Sequence, residues 1–194
     1  FYQMKPFIFV YILWVMMAAA CSDAKEKTTT IVSADTTSYY SISSYINSQL
    51  KYFDSVGATY NVVTIEGTQK DSITVQVAAI RPMIQSFLDA DISDSIQQKN
   101  YQESVFRDAG TASLNINYTP MDTSTTIKNI DILMDEQTSV VKRIFVRKQY
   151  LNKDTTCTEQ LSWKTNEGFT TSISKETNNG FSLNKTITVR VILP

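Results

Sequence analysis

From Phe181 to Leu193 the chain alternates. Phe181, Leu183, Ile187, Val189, Val191 and Leu193 fall on one side of an extended strand, and Ser182, Asn184, Thr186, Thr188 and Arg190 on the other. Successive side chains in a strand point to opposite faces, so this segment has one dry side and must lie on a core by that side only. The same period of two recurs in three sets: Leu114, Ile116 and Tyr118; Ile130, Ile132 and Met134; Ile144, Val146 and Tyr150. Ile73, Val75 and Val77 share a face in the same way. Turn signals punctuate the last runs, "TNEG" ending at Gly168 and "NNG" ending at Gly180, and Asn-Gly is the dipeptide that tight hairpins prefer. One-sided strands joined by hairpins predict an antiparallel sheet whose dry face needs a cover.

Two helical stripes can supply it. In "SISSYINSQLKYFDS", Ile42, Tyr45, Ile46, Leu50 and Phe53 recur at helical spacing, with serines ahead of them to cap the first turn. Ile80, Met83, Ile84, Phe87 and Leu88 follow the i, i+3, i+4, i+7, i+8 pattern of a second helix, with Pro82 expected in its first turn, where its missing N–H has no partner anyway. The expected fold class is α+β, a mostly antiparallel β-sheet with two amphipathic helices packed on one face, in a single domain over residues 39–194.

The N-terminal segment bears on where the chain resides. Between Lys5 and Cys21 no residue is charged, and fifteen residues are short of the about 20 that cross a bilayer. One positive charge, a compact apolar core and small residues before a cut are the marks of a secretory signal peptide, here residues 1–20 with Met4 as the expected start. Ala18-Ala19-Ala20-Cys21 resembles the lipobox of bacterial lipoproteins, with Ala18 where Leu is most usual. That resemblance implies acylation of Cys21, which becomes the new N-terminus, and a membrane anchor in which each buried methylene contributes roughly 0.8 kcal/mol. Residues 21–38 are polar and read as a lipidated tether that holds the domain off the bilayer.

The segments "YYSISSYINSQL", "FLDADIS" and "KTITVRVIL" give the chain as a whole a likeness to small uncharacterised lipoproteins of Bacteroidota. The likeness implies a cell-envelope location, in the outer membrane, and no particular activity. Surface export in that group resembles a short acidic signal after the Cys, and "SDAKEK" offers Asp23 and Glu26 interrupted by lysines, which leaves the periplasmic and the surface face both open.

Several chemistries are excluded by residue type. There is no His in the chain, which removes Ser-His and Cys-His pairs and the commonest metal ligand. The five glycines form neither G-x-G-x-x-G nor a P-loop, so no nucleotide cofactor is expected. A formal net charge of −1 offers nucleic acid no attraction. Two S-x-x-K spacings, Ser48 to Lys51 and Ser172 to Lys175, lack the further motifs of the serine β-lactamase group and read as chance. Asp89, Asp91 and Asp94 in "DADISD" fail the EF-hand pattern at its sixth and twelfth positions, leaving a looser oxygen-ligand site against a solvated acidic turn. With Cys21 acylated, Cys157 has no disulfide partner and reads as a small buried side chain.

"VKRIFVRK" places Arg143, Phe145 and Arg147 on one strand face, a mix of basic and aromatic groups that can bind anions or sugars but is also an ordinary wet strand face. Two function classes stand. The leading one is a non-catalytic envelope lipoprotein that binds a protein, glycan or lipid partner; the alternative is a carboxylate enzyme such as a glycan hydrolase, with its paired acids drawn from Asp131, Asp135 or Glu159. The chain also carries five triplets resembling the Bacteroidota O-glycosylation pattern, at Thr36, Ser55, Ser72, Ser95 and Thr155, each preceded by Asp; Asp-Ser and Asp-Thr pairs are equally the chemistry of turns and caps.

Overall fold

A computed structural model of the chain describes residues 39–194, and the signal segment, Cys21, the tether and Thr36 lie outside the described residues. Nine strands form one antiparallel sheet: β1 (Thr59–Glu66), β2 (Gln69–Val75), β3 (Tyr101–Asp108), β4 (Ser113–Pro120), β5 (Ile127–Asp135), β6 (Val141–Asn152), β7 (Thr155–Lys164), β8 (Gly168–Thr177) and β9 (Ser182–Ile192). Their order across the sheet is β2-β1-β9-β8-β7-β6-β5-β4-β3. Strands β3 to β9 are therefore a plain meander, and the β1–β2 hairpin joins it by pairing β1 with β9.

Helix α1 (Ile42–Ser55) lies where its stripe predicts, with Ile42, Ile46, Leu50 and Phe53 all buried. Its ends are specified locally. The Ser41 side chain caps Ser44 N–H, and the Gly57 and Ala58 N–H groups bond to the carbonyls of Asp54 (3.1 Å) and Phe53 (3.0 Å). That Schellman closure needs a left-handed residue just past the helix, and Gly57 supplies it at φ +70°.

The second helical stretch differs from its expectation. It begins at Val77 and consists of α2 (Val77–Ile80), a 3-10 turn (Arg81–Ile84) and α3 (Gln85–Leu88). Pro82 thus sits mid-way along the stretch and not in its first turn. Its ring cannot donate to the carbonyl four residues back, and the backbone tightens to a 3-10 turn instead. Ile80, Ile84 and Phe87 are buried as the spacing demands, so the stripe survives although the regular helix does not. A further turn, α4 (Ser95–Gln98), leads into β3. The fold is predominantly β, with one true amphipathic helix and short helical pieces beside it.

Packing confirms which sheet face is dry. Ile130 and Val146, Ile132 and Ile144, Leu161 and Val146, and Trp163 and Ile144 are cross-strand partners, and all are buried in one cluster with α1 and the broken stretch. Trp163 and Phe169 stack at 5.5 Å, and Phe87 meets both edge-on, pinning α3 to the middle of the sheet. Cover is incomplete at the ends. Phe181 and Leu193, expected on the dry side, are 64% and 53% exposed, each lying just beyond an end of β9. Val77, read with Ile73 and Val75 as strand, starts α2, and Ile73 on the edge strand is 49% exposed.

Candidate functional site

The other face of the sheet has no helix against it among the described residues. Register turns its wet positions into a grid. On β6, β7, β8 and β9 the first row is Arg143, Lys164, Gly168 and Arg190, and the second is Phe145, Ser162, Thr170 and Thr188. The third is Arg147, Gln160, Ser172 and Thr186, and the fourth is Gln149, Thr158, Ser174 and Asn184. Side chains two residues apart along a strand are about 7 Å apart, so the four rows run roughly 20 Å. Hydroxyls, amides and guanidinium groups dominate, with Phe145 as the one aromatic ring.

Little of this hydrogen-bonding capacity is used internally. Ser172 and Thr186 face each other at 3.4 Å, and Lys164 bonds Glu167 in the adjoining turn at 2.7 and 2.9 Å. Two hollows lie on the grid: one of about 250 Å³ around its first two rows and one of about 230 Å³ around its last two. Gly168 shapes the first. Its φ is +125°, and a Cβ built there would lie 2.0 Å from the Val189 carbonyl oxygen, so no side chain can stand at that position. No protein-family model, no curated protein and no solved structure matches the chain. The grid's own groups can donate and accept many hydrogen bonds to an extended polar ligand and offer cations at one end.

A second polar set sits on the helix side. Lys148 Nζ donates to Ser86 Oγ at 2.9 Å and stands 3.7 Å from Glu159 Oε2. The Ser86 hydroxyl donates to Glu159 Oε2 at 2.5 Å, and the Tyr150 hydroxyl donates to Oε1 at 2.8 Å. The bond to Glu159 and, after it, burial push the Tyr150 hydroxyl up to about 12. Both Glu159 oxygens are engaged and Lys148 reaches both Ser86 and Glu159, so the set clasps α3 to β6 and β7. A hollow of about 430 Å³ beside it is lined by Asp89, Asp91 and Lys148. Each of these already has a partner: Asp89 takes a bond from Gln85, Asp91 from Ser41 and Ser43, and Lys148 reaches Ser86.

The acids named from sequence are not brought together. Asp131 is the cross-strand partner of Phe145 on the helix-free face, bonded to Asn117 at 2.7 Å and to Asn129. Glu159, opposite Lys148, is on the covered face, and Asp135, the last residue of β5, bonds Thr138 in the following turn and pairs with Lys142 on β6. In "DADISD", Asp91 is taken up with Ser41, Ser43 and Ser93, and Asp94 caps α4 through Ile96 N–H. No metal-holding group of three or more His, Cys, Asp or Glu occurs among the described residues. Ser48 of the first S-x-x-K bonds Tyr45 O, while Ser172 and Lys175, an odd number apart on β8, face opposite ways. Cys157 is buried at 3% exposure.

Of the five Ser/Thr triplets, Ser55 and Ser95 are exposed at helix ends, Thr155 is half-buried at the start of β7, and Ser72 is exposed within edge strand β2, not in a loop. Sequence reasoning found Arg143, Phe145 and Arg147 but missed Lys164, Gly168 and Arg190 beside them. The signal was present: a hairpin centred on "TNEG" sets Gly168 against Lys164, and one centred on "NNG" sets Arg190 against Gly168.

Proposed function

We propose that the protein is a non-catalytic binding module of the bacterial cell envelope, lipid-anchored through Cys21 in the outer membrane, that takes an extended glycan on its helix-free sheet face. The observation that carries the binding reading is the four-by-four grid. It is a broad array of hydroxyl, amide and guanidinium groups flanking one aromatic ring, few of them bonded to one another. Polysaccharides present hydroxyls on both edges and apolar ring faces, and such an array meets both.

The anchor rests on Ala18-Ala19-Ala20-Cys21. Cell fractionation tests it: Cys21→Ala should move the protein from the membrane to the soluble fraction, and continued membrane association would end the reading. Protease shaving of intact cells separates the periplasmic from the surface face. Glycan binding is tested by affinity electrophoresis of the full-length protein in gels containing neutral or acidic polysaccharide. Retardation that disappears in Phe145→Ala and Gln160→Ala, and persists in an α1 surface variant such as Lys51→Ala, is the expected result; no retardation in any gel would refute it. Intact-mass measurement from the native host tests O-glycosylation at Thr36, Ser55, Ser72, Ser95 and Thr155 on the same exported chain, a mass equal to the lipidated polypeptide removing that part.

A further inference from the structure

Charge on the grid is uneven. Arg143 stands directly opposite Lys164, and only Gly168 separates Lys164 from Arg190. Like charges placed directly opposite on neighbouring strands destabilise a sheet, so the fold carries a cost in this row. Glu167 is the one acid lining the hollow there, and it is engaged with Lys164. Arg143 and Arg190, both exposed, pair with no carboxylate among the described residues. On the other face Arg107 is matched by Glu136 and Lys185 by Glu66. Two guanidinium groups without a carboxylate partner thus line the place where the backbone of Gly168 excludes a side chain and opens the hollow of about 250 Å³.

We propose that this hollow is the subsite for an acidic group, a carboxylate, sulfate or phosphate, carried on the glycan that lies along the remaining rows; the proposal rests on the glycan-binding reading above. Arg143 and Arg190 approach from opposite sides of the hollow, and a guanidinium forms two parallel bonds to an oxyanion where an ammonium offers a point charge. Thr170 and Thr188 hydroxyls, in the next row and lining the same hollow, can donate to the remaining oxygens. The neighbouring rows, with Gln160, Ser172 and Thr186, are neutral apart from Arg147, so the ligand is read as bearing spaced acidic groups on an otherwise neutral sugar chain.

The test uses full-length protein in detergent, titrated with polygalacturonate, dextran sulfate and neutral dextran. Arg143→Ala and Arg190→Ala should each weaken binding of both polyanions by roughly tenfold or more, the scale of one lost charge-assisted contact. Neutral dextran binding and the unfolding midpoint should be unchanged, and Arg143→Lys should recover part of the loss. Arg107→Ala, which removes the same charge from the other face, should have no effect. Equal losses in Arg107→Ala would mean diffuse attraction and overturn the subsite, as would polyanion binding that survives the double arginine variant. Equal affinity for neutral dextran and the polyanions would overturn the subsite and leave the glycan reading standing, whereas binding to none of the three removes both. Binding to phosphatidylglycerol vesicles in preference to all three would replace the glycan with a lipid surface.

Discussion

Asp91 is 50 residues from Ser41 and yet completes the first turn of α1, accepting from the Ser41 hydroxyl (2.8 Å), the Ser43 N–H (2.9 Å) and the Ser43 hydroxyl. Burial works to raise the pKa of its carboxyl, and the hydrogen bonds from Ser43 and Ser93 outweigh that, so it titrates below the usual range. A carboxyl depressed in the folded state contributes stability above its unfolded pKa and loses it as pH falls through the folded value. The stability gap between wild type and Asp91→Asn should therefore be full at neutral pH and shrink below about pH 4 in urea titrations. Asp91→Ala should cost about 1 to 3 kcal/mol, the range for a lost cap with buried donors left over. Gly168 is a harsher case. Gly168→Ala has to displace the Val189 carbonyl and hold a left-handed φ, and should cost upwards of about 2 kcal/mol in thermal unfolding while also distorting the first row of the grid.

Among the elements, the clasp between α3 and the strands beneath it is the most exposed to a single change. Lys148 and Glu159 are 11% and 12% exposed at their side chains, so Glu159→Ala strands a largely buried ammonium and two hydroxyls. A loss of about 3 kcal/mol is expected, with the double variant Glu159→Ala/Lys148→Met recovering much of it; equal losses in both would show that packing, not charge, sets the effect. This level is also where legibility from sequence changes. Strands β4, β5, β6 and β9 and helix α1 could be read because each obeys one period over most of its length. Strand β1 could not: in "TYNVVTIE" the adjacent Val62 and Val63 break the alternation, although Tyr60 and Val62 are the buried pair. Strand β3 hides for another reason, since Glu103 occupies a core-facing position between Tyr101 and Val105. The helical stretch 77–88 kept its stripe and lost its regularity because burial is set by spacing and helix type by Pro82. The grid was half visible, because alternation assigns a face to each residue while only turn positions say which residues become neighbours.

At the scale of the molecule, one strand holds two parts together. β1 has β2 on one side and β9 on the other, and β2 is an edge, so among the described residues β9 is the one strand linking the N-terminal hairpin to the meander. Native-state hydrogen exchange should find the β1 and β9 amides opening together, with β2 and β3 opening earlier as edges; independent loss of protection in β1 would show the hairpin to be a separate unit. Both edges carry charges that discourage pairing with another chain, Lys70 and Asp71 on β2 and Glu103, Arg107 and Asp108 on β3.

The central place of β9 also has a consequence for synthesis. Of the nine strands it is the last to emerge from the ribosome, and until it arrives β1 and β8 both present raw edges, and Val62 and Phe169 lack their shared neighbour Val189. A chain cut short within β9 is then not a slightly weaker protein but an open one, marked for proteolysis by two unpaired strands. The sheet therefore cannot close before its last strand is made, and until then its two parts stay unjoined along β1 and β8.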